Sequence, residues 1–194
     1  MKGKEVEIIK LLLENKAEKL SISQIARFLK KDYKNIHNQI TRLVKQQIIK
    51  LDQFGGSYQV ILSNKIHPLI FEAEYLRRRE LLKNKDIAIM LETFKSLHSK
   101  LYIFLLFGSY AKKNQTKHSD IDLMCIVSDK AEEKMEKEIN NIVHTLPLKI
   151  HMNIFKESDF KAMARSKEMT VGSEAIKNNI ILYNIESYYE MLND

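Results

Sequence analysis

In the stretch "FGSYAKKNQTKHSDIDLMCIV", residues 107–127, an apolar strand-like run ends in Gly108-Ser109. Ten residues later Asp120 and Asp122 stand one residue apart at the head of a second apolar run. A strand has a side-chain period of two, so both carboxylates point to one face while Ile121 and Leu123 point to the other. Two carboxylates on one face of a buried strand repel each other and are poorly solvated. A divalent cation between them relieves both problems. Mg²⁺ (or Mn²⁺) takes oxygen ligands, commonly one or two carboxylates plus substrate phosphates. Gly108 lets a phosphate approach the backbone, and the amides of the following turn and the Ser109 hydroxyl can donate to its oxygens. The joint pattern is a metal site beside a phosphate cradle, which phosphoryl or nucleotidyl transfer requires. Either half alone would read as a turn or a cap.

Around this stretch the pattern alternates. "LYIFLLFG" reads as a strand from Leu101, "SYAKKNQ" as a short turn or helix, and "DIDLMCIV" as a strand. "KAEEKMEKEINNIVHTL" then reads as a helix, "LKIHMNIF" (148–155) as a strand, "ESDFKAMARSKE" as a helix, "NNIILYNI" as a short strand and "ESYYEMLND" as a terminal helix. The expectation is an α+β domain with a small mixed sheet and flanking helices over residues 85–194.

The first third is different. Val6, Ile9, Leu12 and Leu13 recur at helical spacing. A second helix follows, capped by Ser21 or Ser23, with Ile25, Ala26, Phe28 and Leu29 on its inner face. Asp32 can cap a third helix whose inner face is Ile36, Ile40, Leu43 and Val44. Two β-prone arms flanking Gly55-Gly56 then read as a hairpin. This order resembles a winged helix-turn-helix domain over residues 1–66. The resemblance implies that the third helix enters the major groove of duplex DNA, presenting Lys34, Asn35, His37, Asn38, Thr41 and Arg42.

Pro68 ends the hairpin, and residues 67–84 read as a helical connector. Leu69, Phe71, Leu76 and Leu81 suggest one helix, and Leu91, Phe94 and Leu97 another. Arg77–Arg79 beside Glu72, Glu74 and Glu80 read as a salt-bridged, solvated face.

Charge separates the two halves. The net charge is +7, and residues 1–66 hold 13 Lys/Arg against 6 Asp/Glu while residues 67–194 hold 19 of each. An excess confined to one segment points to a polyanion-binding module. The single cysteine, Cys125, excludes a disulfide framework and reads as a small core residue. No apolar run approaches the ~18 residues of a membrane span, and the start "MKGKEVEIIKLLLENK" reads as an amphipathic helix rather than a signal peptide. The expectation is a soluble cytoplasmic protein with no membrane partner.

"GSYAKKNQTKHSDIDL" resembles the signature of the DNA polymerase β-like nucleotidyltransferase superfamily, in its minimal nucleotidyltransferase branch. The usual form is Gly-Ser-x-Ala-x-Gly, a short spacer, then Ser-Asp-Ile-Asp-Leu. The resemblance implies a triphosphate held at Gly108 and Ser109, with Lys113 and Ser119 beside it, and metal ions on Asp120 and Asp122. It implies transfer of a nucleoside monophosphate, most often AMP from ATP, to a protein, nucleic acid or small-molecule hydroxyl. Some members of the branch resemble antitoxins that modify a HEPN-type toxin. A homodimer is left open. Two positions depart from the pattern. Lys113 replaces the second glycine. On the next core strand, where the superfamily has a third carboxylate, this chain has His151 and Asn153 on one face as the catalytic candidates, His151 as a base or nitrogen ligand and Asn153 as a neutral oxygen ligand, with Glu157 and Asp159 only after the strand. The alternative is therefore a transcription regulator whose degenerate transferase domain senses nucleotide or a protein partner.

Overall fold

The computed structural model of the chain describes residues 2–16, 18–63, 66–97, 102–166 and 168–193. The chain divides into two compact units, residues 1–76 and 77–192.

In the first unit, helix α1 (Lys2–Glu14) buries Val6, Ile9, Leu12 and Leu13 at the expected spacing, with Ile8 beside them. Helix α2 (Ile22–Phe28) starts on a capping box: the Gln24 amide donates to Ser21 Oγ, and the Ser21 amide donates to Gln24 Oε1 at 2.8 Å. Ser21 is thus the cap of the two candidates. Ile22, Ile25 and Ala26 are buried, but Phe28, expected on the inner face, is 49% exposed beneath the Arg27 guanidinium. At 3.6 residues per turn Phe28 lies roughly 110° round the helix from that stripe.

Helix α3 (Tyr33–Lys45) is capped by Asp32, which accepts from the Asn35 amide at 3.1 Å. It buries Ile36, Gln39, Ile40 and Leu43 and leaves Lys34, Asn35, His37, Asn38, Thr41 and Arg42 all exposed. Strands β1 (Ile49–Phe54) and β2 (Ser57–Leu62) pair antiparallel, with Phe54 opposite Ser57 across the Gly55-Gly56 turn. The segment before α2 joins the outer edge of β2: the Val60 amide donates to the Leu20 carbonyl at 2.8 Å, and Ser21 bridges to Gln59. The division between the units falls within helix α4 (Pro68–Leu81).

The second unit runs α5 (Lys85–Thr93), a 3₁₀ turn (Phe94–Leu97), β3 (Tyr102–Phe107), α6 (Gly108–Ala111), β4 (Ile121–Val127), α7 (Glu132–Thr145), β5 (Ile150–Lys156), α8 (Glu157–Arg165), α9 (Val171–Lys177), β6 (Asn179–Tyr183) and α10 (Ile185–Asn193). Leu101, the expected first residue of β3, lies outside the described residues. Helix α9 was not expected. Its signal is a second capping box, in which the Ser173 amide donates to Thr170 Oγ1 at 3.0 Å and the Thr170 amide to Ser173 Oγ at 2.9 Å.

The sheet order is β5-β4-β3-β6, with β4 and β5 parallel and the other pairs antiparallel, so the sheet is mixed and small as expected. On one face Tyr102, Phe104, Leu106, Leu123, Cys125 and Val127 pack with Ile87 and Met90 of α5 and Met135 and Ile139 of α7. Burial of these apolar side chains is the main stabilising term. It also pushes the Cys125 thiol pKa well above its ordinary value, so the thiol stays protonated. Helices α8 and α9 cover the opposite face, where Phe160 and Ala175 are buried.

The arginine run is not the solvated face expected. Arg77 is buried and donates to the Asn179 carbonyl at 2.6 Å. Arg78 is half-buried and donates to the Leu182 carbonyl at 2.9 Å, leaving Arg79 as the exposed member of the three. Glu74 is buried as well. Two guanidinium groups therefore hold carbonyls of β6, a use of arginine that a helical charge run does not announce.

Candidate active site

Strand directions bring the site together. The register sets Phe107 opposite both Asp122 and Asn179, and Asp122 opposite His151. The C-terminus of β3 and the N-termini of β4, β5 and β6 therefore meet at one end of the sheet. Gly108, Asp120, Asp122 and His151 all lie there.

Gly108 begins α6 with φ +67°, a conformation that L side chains rarely adopt. A Cβ at this position would overlap the Asp122 carboxylate and come within 2.9 Å of its Cγ. The glycine is thus needed for a reason beyond phosphate access: Asp122 lies directly on its backbone. Asp122 also meets His151, with Nδ1 3.3 Å from Oδ1. The Asp122 side chain is 26% exposed and that of His151 66%.

The expectation of two carboxylates within a buried strand needs correction. Strand β4 begins at Ile121, and Asp120 stands just before it, exposed. The strand period therefore fixes the side of Asp122 but not of Asp120, and solvent reaches both, so burial does not force a cation between them.

The remaining residues are placed as follows. Ser109 is half-buried in the first turn of α6. Ser119 Oγ accepts from the Thr116 amide at 2.9 Å and lies 3.3 Å from Thr116 Oγ1, so it shapes the loop before Asp120. Lys113 has φ +58°, the left-handed region that glycine would occupy without cost. Its Nζ is 3.7 Å from Glu80, while Lys112 Nζ pairs with Glu174 at 2.9 Å. Asn153 is half-buried and its Nδ2 donates to the Leu123 carbonyl at 3.4 Å. The sequence reading passed over Lys117 and His118, which are exposed on the same loop between the two halves of the motif. Their signal was the density of cations between Gly108 and Asp120.

Glu157 and Asp159 are not spare ligands for this site. They follow the C-terminus of β5, whereas His151 lies near its start. Six residues of strand at ~3.3 Å each put Glu157 roughly 20 Å from His151. Glu157 pairs with Lys161 at 3.0 Å and lines a cleft of about 310 Å³ with Tyr102, Val127 and Glu190, at the other end of the sheet. Among the described residues no group of three or more His, Cys, Asp or Glu side chains is placed to hold a metal ion. The site therefore offers two carboxylates and one imidazole, with no third acid beside them.

No helix among the described residues is long and apolar enough to cross a membrane. Residues 1–65 match a family described as HVO_A0114. Neither the curated proteins nor the solved structures contain a match to this chain. Residues 90–188 match the family described as Polymerase beta, Nucleotidyltransferase, and this match covers 99 of the 194 residues. It spans β3 through β6, with Gly108, Asp120, Asp122 and His151 inside it, and the chain belongs to the polymerase beta nucleotidyltransferase family.

Proposed function

We propose that the second unit transfers a nucleoside monophosphate, AMP from ATP first, onto an acceptor hydroxyl, with a divalent cation held by Asp120 and Asp122. The observation that carries this reading is the seat of Asp122: on the bare backbone of Gly108, at the strand end it shares with Asp120 and His151. The donor set fits such a cation. Two carboxylates that solvent reaches leave open positions for phosphate oxygens, and a bound cation neutralises charge on the transferring phosphate. The chain's own residues do the rest. In this reading Ser109 and Lys117 bind the triphosphate, and Lys112 and Lys113 reach it only by leaving Glu174 and Glu80. The acceptor oxygen bonds to the α-phosphorus, the bond to the bridging oxygen breaks, pyrophosphate leaves and the hydroxyl proton passes to water. The acceptor belongs to a protein, a HEPN-type partner among them, a nucleic acid or a small molecule.

A specific observation favours a second reading. His151 stands opposite Asp122, where the superfamily pattern has an acid. On that ground the domain is a nucleotide sensor that has lost turnover. Incubation of the full-length protein with α-labelled ATP, Mg²⁺ or Mn²⁺ and cell lysate separates the two. Label transferred in a manner that requires Asp120 and Asp122 supports the transferase. ATP binding without transfer supports the sensor, and ATP binding unaltered in the Asp120→Asn/Asp122→Asn double variant overturns both.

We infer further that residues 1–66 form a winged helix-turn-helix that binds duplex DNA. The six exposed polar residues of α3, the following hairpin and the confined positive charge support this.

A further inference from the structure

We propose that β5 is a dimer interface, where two copies of the chain pair their β5 strands antiparallel about Asn153 and join their sheets into one. The two edges of the sheet differ. At one edge β6 buries Asn179, Ile180, Ile181 and Leu182, and the Arg77 and Arg78 guanidinium groups hold the carbonyls of Asn179 and Leu182. At the other edge none of the seven residues of β5 is fully buried, although Ile150, Met152, Ile154 and Phe155 are apolar. The Ile121 amide donates to the Lys149 carbonyl at 2.8 Å. With a period of two, His151, Asn153 and Phe155 then also turn their backbone groups to β4, and Ile150, Met152 and Ile154 turn theirs outward. Among the described residues nothing bonds these outward groups. An exposed apolar edge strand is a template for pairing with another strand, and proteins blunt such edges with proline, bulges or charge. Strand β5 has no proline, its register with β4 runs without a shift, and its one lysine, Lys156, stands at the end.

The strand's own sequence points to a second copy as the occupant. Hydrogen bonds across an antiparallel ladder join outward-facing backbone to outward-facing backbone, and full overlap of Ile150–Lys156 with itself then allows one register. Asn153 lies opposite itself on the two-fold axis, Met152 opposite Ile154, His151 opposite Phe155 and Ile150 opposite Lys156. On the face where Ile150, Met152 and Ile154 pack against the core, the apolar rows of the two copies become continuous. Just beyond the strand, exposed Lys149 of each copy meets exposed Glu157 of the other, an acid that also pairs with Lys161 in its own copy. No like charges face each other. A two-fold interface requires this self-complementarity, which a foreign strand would match only by accident. The pairing also sets Phe155 of the second copy across from His151, at the edge of the candidate active site, but it does not depend on the transferase reading.

The test uses the full-length protein. Sedimentation over a concentration series should show a reversible monomer–dimer equilibrium at roughly 1–100 μM, because a single strand pair lies at the small end of specific interfaces. Asn153→Cys sets two sulfurs across a pair whose backbone groups face away from each other, with Cα atoms ~4.5 Å apart and within disulfide reach. Mild oxidation should link this variant into a dimer, whereas Lys156→Cys, opposite Ile150, should stay unlinked. The native Cys125 is buried and does not compete. Lys149→Glu and Glu157→Lys should each weaken the dimer by ~5-fold or more, since each sets two like-charged pairs across the interface, and the double variant should recover the loss. A monomer at every concentration, with the β5 edge bare or taken by a strand of another protein, overturns the proposal. A dimer that lacks the Asn153→Cys disulfide, that forms the Lys156→Cys one as readily, or that both charge reversals leave unchanged overturns it as well.

Discussion

Asp122 is positioned by an atom that Gly108 lacks. Any Cβ there meets the carboxylate, and the left-handed φ adds its own cost of ~1–2 kcal/mol for an L side chain. Gly108→Ala should therefore lower stability by at least that amount in thermal unfolding. Adding Asp122→Ala should recover part of the loss, because the two changes share one contact. Strictly additive losses would show that the backbone conformation, not the carboxylate, sets the requirement. Lys113 is the converse case. It holds a left-handed φ with a side chain, and its ion pair with Glu80 is between exposed groups at 3.7 Å and contributes little. Lys113→Gly should raise stability by up to ~1 kcal/mol, and a lower unfolding temperature would refute the strain reading. The motif made Gly108, Asp120 and Asp122 legible because its signal is local. The reason for Gly108 was not legible, since it depends on a side chain that the register brings back from a neighbouring strand.

Legibility among the elements follows their periodicity. Helix α3 declared itself because Ile36, Ile40 and Leu43 recur over thirteen residues, and the same pattern assigned its exposed face correctly. Strands β3 and β4 declared themselves through long β-prone runs. Helix α9 has seven residues and buries chiefly Gly172 and Ala175, too short and too small for a hydrophobic period to register. Its packing is nevertheless specific. A Cβ at Gly172 would come within 2.8 Å of Met163 Cβ, an atom fixed to the α8 backbone. Gly172→Ala should thus cost ~1–3 kcal/mol in chemical denaturation by forcing α8 and α9 apart. A cost below that of an ordinary surface change would mean that the α8–α9 pair can slide freely. The signal for this helix lies in its cap, the Thr170–Ser173 pair, and not in an apolar stripe.

At the scale of the whole molecule, residues 1–66 carry the excess of positive charge, and the transferase motif lies in the second unit. That separation leads to a test of the inferred DNA interface. Duplex DNA holds a condensed counterion layer, and each phosphate neutralised by a lysine or arginine releases part of it, so log affinity falls with log salt at ~0.9 per contact. Full-length protein should bind duplex DNA with a steep inverse salt dependence. Lys34→Ala and Arg42→Ala, both exposed on α3, should each weaken binding and reduce the slope by about one. Asn38→Ala should weaken binding to a preferred sequence while leaving the slope unchanged, because an amide reads base edges and releases no counterion. Asp120→Asn/Asp122→Asn should leave all three measurements as they are, since those carboxylates serve the other unit. A salt slope that Lys34→Ala and Arg42→Ala fail to alter would move the polyanion contact off α3, and absence of binding at low salt would remove the DNA role altogether.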